Sequence, residues 1–204
     1  MHPGPVSDTS SVSTTTDAAT LAKGVHEATQ HIDEVDVVVG QTFVSLDRVA
    51  RALDGSHVGV AAQNMYVAEA GAYTGEISPT MLKDVGCQYV ILGHSERRQH
   101  FGETDEGVNR KIKVALAHDL HPIVCIGESL AERKDERTLD KVAFQVRAAL
   151  AGVGEEDAAG VILAYEPLWA IGTGETATPE QAQEVHAAIR EVLRDLYNDE
   201  VAQA

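Results

Sequence analysis

Apolar residues fall in short runs, separated by longer stretches in which they recur every three or four positions. The runs are Val35 to Val39, Val58 to Ala62, Gln88 to Leu92, Ile123 to Ile126 and Val161 to Tyr165. Short apolar runs rich in β-branched residues suit strands buried on both faces. The stretches between them predict helices. One runs from Asp17 to about His31, one from a Ser45 cap to Leu53, and one starts at Ser78-Pro79, with the serine as cap and the proline in the first turn. Another is capped by Asp105 and runs through His118. A long helical region leads to about Leu150. The last helix opens on Thr178-Pro179-Glu180-Gln181, which has the form of a capping box, and ends near Tyr197. Residues 1–16 are rich in Ser, Thr, Pro and Gly, carry no apolar period, and read as a disordered arm before a single domain over 17–204. Alternating strands and helices imply parallel pairing with right-handed crossovers. Pattern alone fits a closed barrel and a doubly wound sheet equally well.

Composition narrows the function classes. The chain has 204 residues and a formal charge of −16, with 32 acidic against 16 basic residues. Such a field disfavours nucleic acid and anionic membrane surfaces as partners. A phosphorylated substrate would need local positive potential against it. No segment approaches the ~20 apolar residues of a membrane helix. The N-terminus lacks the basic and apolar blocks of a secretory signal, so a cytoplasmic setting is expected. Cys87 and Cys125 adjoin or sit in apolar runs and read as buried, reduced thiols. His118 and His121 are close in sequence but flank an expected turn, and no His, Glu and Asp set has a convincing metal-ligand spacing.

Two stretches carry candidate chemistry. In Ala164-Tyr165-Glu166-Pro167-Leu168-Trp169-Ala170-Ile171-Gly172-Thr173-Gly174 a carboxylate ends a strand, and a glycine-rich loop follows. A base at the rim of a barrel beneath a closing loop can move a proton while water is kept out. The bland reading of Glu166 is a strand-end carboxylate paired with a basic residue. The second stretch is Val90-Ile91-Leu92-Gly93-His94-Ser95-Glu96-Arg97-Arg98, in which His94 ends a strand and Ser95 reads as a helix cap. Gly93-His94-Ser95-Glu96-Arg97 half resembles a nucleophile elbow, but Arg97 stands where that motif needs glycine. Gly172 and Gly174 lack the third glycine of a dinucleotide fingerprint.

Together these stretches resemble the triosephosphate isomerase family, over most of the chain from about Ala18. The resemblance selects the (β/α)8 barrel. It implies interconversion of dihydroxyacetone phosphate and glyceraldehyde 3-phosphate through an enediolate, with Glu166 as base and His94 as electrophile. A glutamate base with a neutral histidine is the family's established pairing rather than one read from spacing. A helix N-terminus disfavours the imidazolium form, which fits that role. Glu96 is implied to assist proton movement, and Ser95 to seat the histidine and contribute to substrate binding. Pro167, Leu168, Trp169, Ala170, Ile171, Thr173 and Gly174 would form the lid, hinged at Pro167-Leu168-Trp169 and Glu175-Thr176-Ala177, with N–H groups near Gly172 meeting the phosphate. Gln63 to Glu76 is long for a βα connection. It resembles the family's dimer loop, with Asn64, Thr74 and Arg97 as interface residues and Thr74 reaching the neighbouring subunit's site. A homodimer without cofactor or metal is implied, since the isomerisation requires neither.

The resemblance is not uniform. Five strands are recognisable where a closed barrel has eight, usually in about 250 residues. The expectation is an incomplete barrel, lacking the first strand and the last two. The family's Asn-x-Lys motif is missing near the N-terminus, and Lys23 falls inside the first helix by pattern. The alternative is therefore a truncated, catalytically impaired relative acting at most as a fragment or interaction partner.

Overall fold

The computed structural model describes the backbone at Ser7–Asp8 and residues 14–171 and 173–204. The remainder of the expected arm, and Gly172, lie outside the described residues. The chain divides into two compact units: Met1–Leu92 with Lys113–Pro122, and Gly93–Ile112 with Ile123–Ala204.

In the first unit, β1 (Ser7–Asp8), β2 (Val37–Gln41), β3 (Val58–Ala62) and β4 (Tyr89–Leu92) are parallel, each beside its neighbour in sequence. Helices α1 (Thr15–Thr29), α2 (Leu46–Ala52) and α3 (Pro79–Asp84) fall between them. β1 adds a strand to the five expected. Helix α1 begins two residues before Asp17, because Thr14 caps it by accepting the Asp17 N–H at 3.1 Å. β2 starts and ends two residues later than expected. Its register, Val37 opposite Val58 and Gln41 opposite Ala62, is set by β3 rather than by the first valine of the run. Ser78 caps α3 as expected. Ser45 closes a short 3-10 turn before α2 and makes no side-chain cap. The buried set includes Val38, Val39, Val58, Val60, Leu46, Val49 and Leu82. At about 1.5–3 kcal/mol per fully buried large apolar side chain, such residues outweigh local cap effects.

The second unit holds α4 (Ser95–Phe101), most of α5 (Asp105–Leu116) and of β5 (His121–Ile126), α6 (Leu130–Lys134), α7 (Thr138–Ala149), α8 (Glu155–Ala158), β6 (Ile162–Tyr165), α9 (Pro179–Leu196) and α10 (Asp199–Gln203). β5 and β6 pair in parallel from Ile123 opposite Ile162 to Ile126 opposite Tyr165. Thr104 takes the place expected of Asp105, accepting the Gly107 N–H at 3.1 Å. The long helix expected up to Leu150 is two helices. Glu136, at φ 56°, turns the chain between α6 and α7. The capping box at Thr178 and Gln181 is formed. Val142, Val146, Val185 and Ile189 are buried. β6 differs from the expectation for a strand covered on both faces, since all four residues are half-buried. It is the last strand of its sheet among the described residues, so no strand neighbour covers its far edge. This is the parallel α/β organisation of the barrel family.

Candidate active site

The site lies within the second unit and is built by two glycines. Gly93 adopts φ 72°, and a Cβ there would stand 2.9 Å from the Arg98 guanidinium and 3.3 Å from the Cys125 carbonyl. Only glycine turns the chain in that space. The turn delivers His94 to the N-cap of α4, where its side chain accepts the Glu96 N–H. Ser95, expected as the cap, is instead the first helical residue. Gly127 follows β5, and a Cβ on it would lie 1.9 Å from the Glu166 carbonyl oxygen. That absence of a side chain lets the Glu166 N–H reach the Ile126 carbonyl at 2.8 Å and fixes where Glu166 sits.

His94 and Glu166 face each other. His94 Nε2 lies 3.4 Å from Glu166 Oε1, with the two side chains 23% and 25% exposed. His94 Nδ1 accepts the Glu96 backbone N–H at 3.4 Å. A neutral ring with Nδ1 as acceptor carries its proton on Nε2, the nitrogen turned to the carboxylate. Burial pushes the Glu166 carboxyl up. Hydrogen bonding and charge from His94, then the hydroxyl and N–H of Ser95, outweigh it and hold the group below the usual carboxylate value. Among the described residues no hydrogen bond is formed to the buried Glu166 Oε2. Glu96 reaches the other side of the ring, with Oε2 at 3.8 Å from His94 Nδ1 and 68% of its side chain exposed. A cavity of about 340 Å³ borders Glu166, Ser95 and Leu168. The cations lining it are engaged: Arg98 with Asp105 at 2.5 Å and Lys141 with Glu132 at 3.7 Å.

The segment after Glu166 starts anchored and becomes exposed. Leu168–Ala170 form a 3-10 turn. Trp169 donates its indole N–H to Glu128 at 2.8 Å, under the Arg133 guanidinium. Glu128 is fully buried and also accepts from the Tyr165 hydroxyl at 3.0 Å. Ile171 and residues 173–176 are exposed, with Thr173 hydroxyl bonded to the Trp169 carbonyl. Glu128 was not singled out in the sequence. A carboxylate directly after the glycine that ends the β5 run was the available signal.

Asn64 is buried and Thr74 exposed, both in the first unit. Arg97 lies against Glu103 at 3.6 Å and over the Phe101 ring at 4.8 Å. His118 bonds to the Val114 carbonyl and Glu69, whereas His121 lies against Tyr89, so these two histidines do not converge. Cys87 and Cys125 are both buried, and neither forms a disulfide among the described residues.

A model of the triosephosphate isomerase family matches residues 11–204. The chain belongs to the triosephosphate isomerase family. It is 55% identical over 170 residues to the triosephosphate isomerase of Caldanaerobacter subterraneus, covering 83% of this chain and 68% of that protein. It is 50% identical over 191 residues to that of Clostridium botulinum, covering 89% and 77% respectively. It is also 50% identical over 186 residues to that of Chloroflexus aurantiacus, covering 91% and 74%. Within this triosephosphate isomerase fold, the matched region contains both halves of the candidate pair, His94 and Glu166. No helix among the described residues is long and apolar enough to cross a membrane.

Proposed function

We infer that the chain is an intramolecular aldose–ketose isomerase, interconverting dihydroxyacetone phosphate and glyceraldehyde 3-phosphate. The observation that carries the mechanism is the 3.4 Å approach of His94 Nε2 to Glu166 Oε1, beside an oxygen that accepts no hydrogen bond among the described residues. Glu166 takes the proton from the carbon next to the substrate carbonyl. The released electron pair forms the carbon–carbon double bond, and the carbonyl electrons move to oxygen. His94 Nε2–H donates to that oxygen as its charge grows. The proton of the neighbouring hydroxyl passes by way of His94 to the former carbonyl oxygen, Glu166 returns its proton to the former carbonyl carbon, and the carbon that bore the hydroxyl becomes the new carbonyl. Ser95 holds Glu166 ionised and in place. Glu96 positions His94 through its backbone N–H, and its carboxylate, 3.8 Å from Nδ1, assists proton movement through the ring.

The lid from Pro167 to Gly174 closes over the pair, pivoting where Trp169 is tied to Glu128. N–H groups about Gly172 meet the phosphate. A homodimer in the cytoplasm belongs to the same reading. The loop from Gln63 to Glu76 is braced by the Tyr66 N–H on the Ile77 carbonyl and by the Tyr66–Tyr73 ring contact at 4.6 Å. Tyr73 and Thr74 are presented outward at its tip. The test is a coupled isomerase assay on the full chain beside Glu166→Gln. Activity in the parent that collapses in the variant supports the reading. Equal activity in both removes Glu166 as base.

A further inference from the structure

A histidine pair in the first unit has no part in the isomerisation. His26 on α1 and His57, just before β3, bring their Nδ1 atoms to 3.3 Å. Their ring centroids are 5.1 Å apart, with the planes tilted by 45°. Neighbours fix the tautomer of one ring. The Thr29 hydroxyl gives its only proton to the Val25 carbonyl at 2.8 Å. It must therefore accept from His57 Nε2, which lies 2.9 Å away. Neutral His57 is protonated at Nε2, and its Nδ1 presents a bare lone pair to His26.

Two arrangements bring ring nitrogens this close. In a straight N–H···N bond the ring axes run along the line between the nitrogens, which would part the centroids by about 5.6 Å. The observed 5.1 Å places at least one ring axis off that line. A shared ion also brings two imidazole nitrogens to this separation, since two Zn–N lengths of ~2.0–2.1 Å at a tetrahedral angle part them by about 3.3 Å.

We propose that His26 and His57 chelate a divalent transition metal of the imidazole-binding class through both Nδ1 atoms, zinc being the reference ion. Thr29 stands behind His57 as the group that orients the ligand, as outer-shell acceptors do in metal sites. His57 is exposed and His26 half-buried, so water completes the coordination. Among the described residues no cluster of three or more His, Cys, Asp or Glu surrounds such an ion. The site is therefore a surface two-histidine chelate, separate from the isomerase site.

The test is calorimetric titration of the full chain with zinc chloride at neutral pH, with the variants His26→Gln, His57→Gln, Thr29→Val and, as control, His118→Gln. One site is expected whose affinity falls at least ~10-fold in each of the first two variants, because two ligands act together. Thr29→Val lowers it several-fold without removing a ligand, and His118→Gln leaves it unchanged. Metal-free circular dichroism checks that each variant folds, and Thr29→Val decides if a histidine variant does not. Zinc binding that survives either His26→Gln or His57→Gln, or no zinc binding by the parent, overturns the chelate.

Discussion

Two glutamates follow the two strands of the second unit and have opposite surroundings. Glu128, just past β5, is fully buried and satisfied: it accepts from Tyr165 and Trp169 and has the Arg133 guanidinium at 3.6 Å. Glu166, just past β6, is a quarter exposed, has His94 at 3.4 Å on one oxygen, and among the described residues has no hydrogen bond on the other. Burial alone would nominate the wrong residue as the reactive one. What separates them is the number of donors already in place. A carboxylate whose lone pairs are filled is a structural post, whereas one with an open acceptor can take a proton.

Substitution breaks the comparison most sharply at Glu166. Glu166→Gln keeps size and shape but removes the base, so kcat in the coupled assay falls by about 10²–10⁴-fold. The melting temperature falls less than in a Glu128 variant, because the amide oxygen can still accept from His94 and Ser95. Glu128→Ala gives the inverse pattern. It strands the Tyr165 hydroxyl, the Trp169 indole N–H and the Arg133 charge, at a cost of about 3–5 kcal/mol in chemical denaturation. A Glu166 variant that unfolds while the Glu128 variant stays stable would reverse the two roles.

Gly127→Ala sharpens the comparison by moving Glu166 without altering its chemistry. The new methyl would meet the Glu166 carbonyl oxygen at 1.9 Å, so the backbone must shift. The expected result is about 1–3 kcal/mol of lost stability. We also expect a fall in kcat of at least ~10-fold with little change in KM, since the base is displaced from the reacting atoms. Unchanged kcat would mean that the position of Glu166 is set elsewhere.

How much of this was legible in the sequence depends on how local each feature is. Glu166 and His94 lie in contiguous motifs, so resemblance found both. Glu128 draws its donors from 37 and 41 residues away, and nothing beside it marks them. The His26–His57 pair spans 31 residues for the same reason. Strand existence was legible from apolar runs, but the ends of β2 were not, because pairing with β3 sets them. Ser95 looked the better cap by residue preference. The Gly93 turn places His94 there instead, and the imidazole nitrogen does the capping. The break between α6 and α7 was missed because it turns on a non-glycine residue, Glu136, in the left-handed region.

The smallest expected effect is on the acid limb of stability. Burial raises the Glu166 carboxyl, but His94 and then Ser95 win, and the folded group titrates below its ordinary 4.5. A folded value below the unfolded one contributes stability that is complete above the unfolded pKa. That contribution is lost as pH falls through the folded value. Glu166→Gln should therefore flatten the loss of stability below about pH 4.5 and leave the slope at neutral pH alone. Glu132 is lowered as well: burial opposes the shift, and the Ser129 N–H and hydroxyl of the capping box, then Lys141 and Arg137, overcome it. Glu132→Gln should flatten the same limb while leaving kcat near the parent value, because its carboxylate is spent on a helix end. Urea titrations at a series of acidic pH values separate the two. If Glu166→Gln leaves the acid limb unchanged, the His94 contact does not hold Glu166 ionised in the free protein. The open acceptor would then have to be created by substrate rather than standing ready for it.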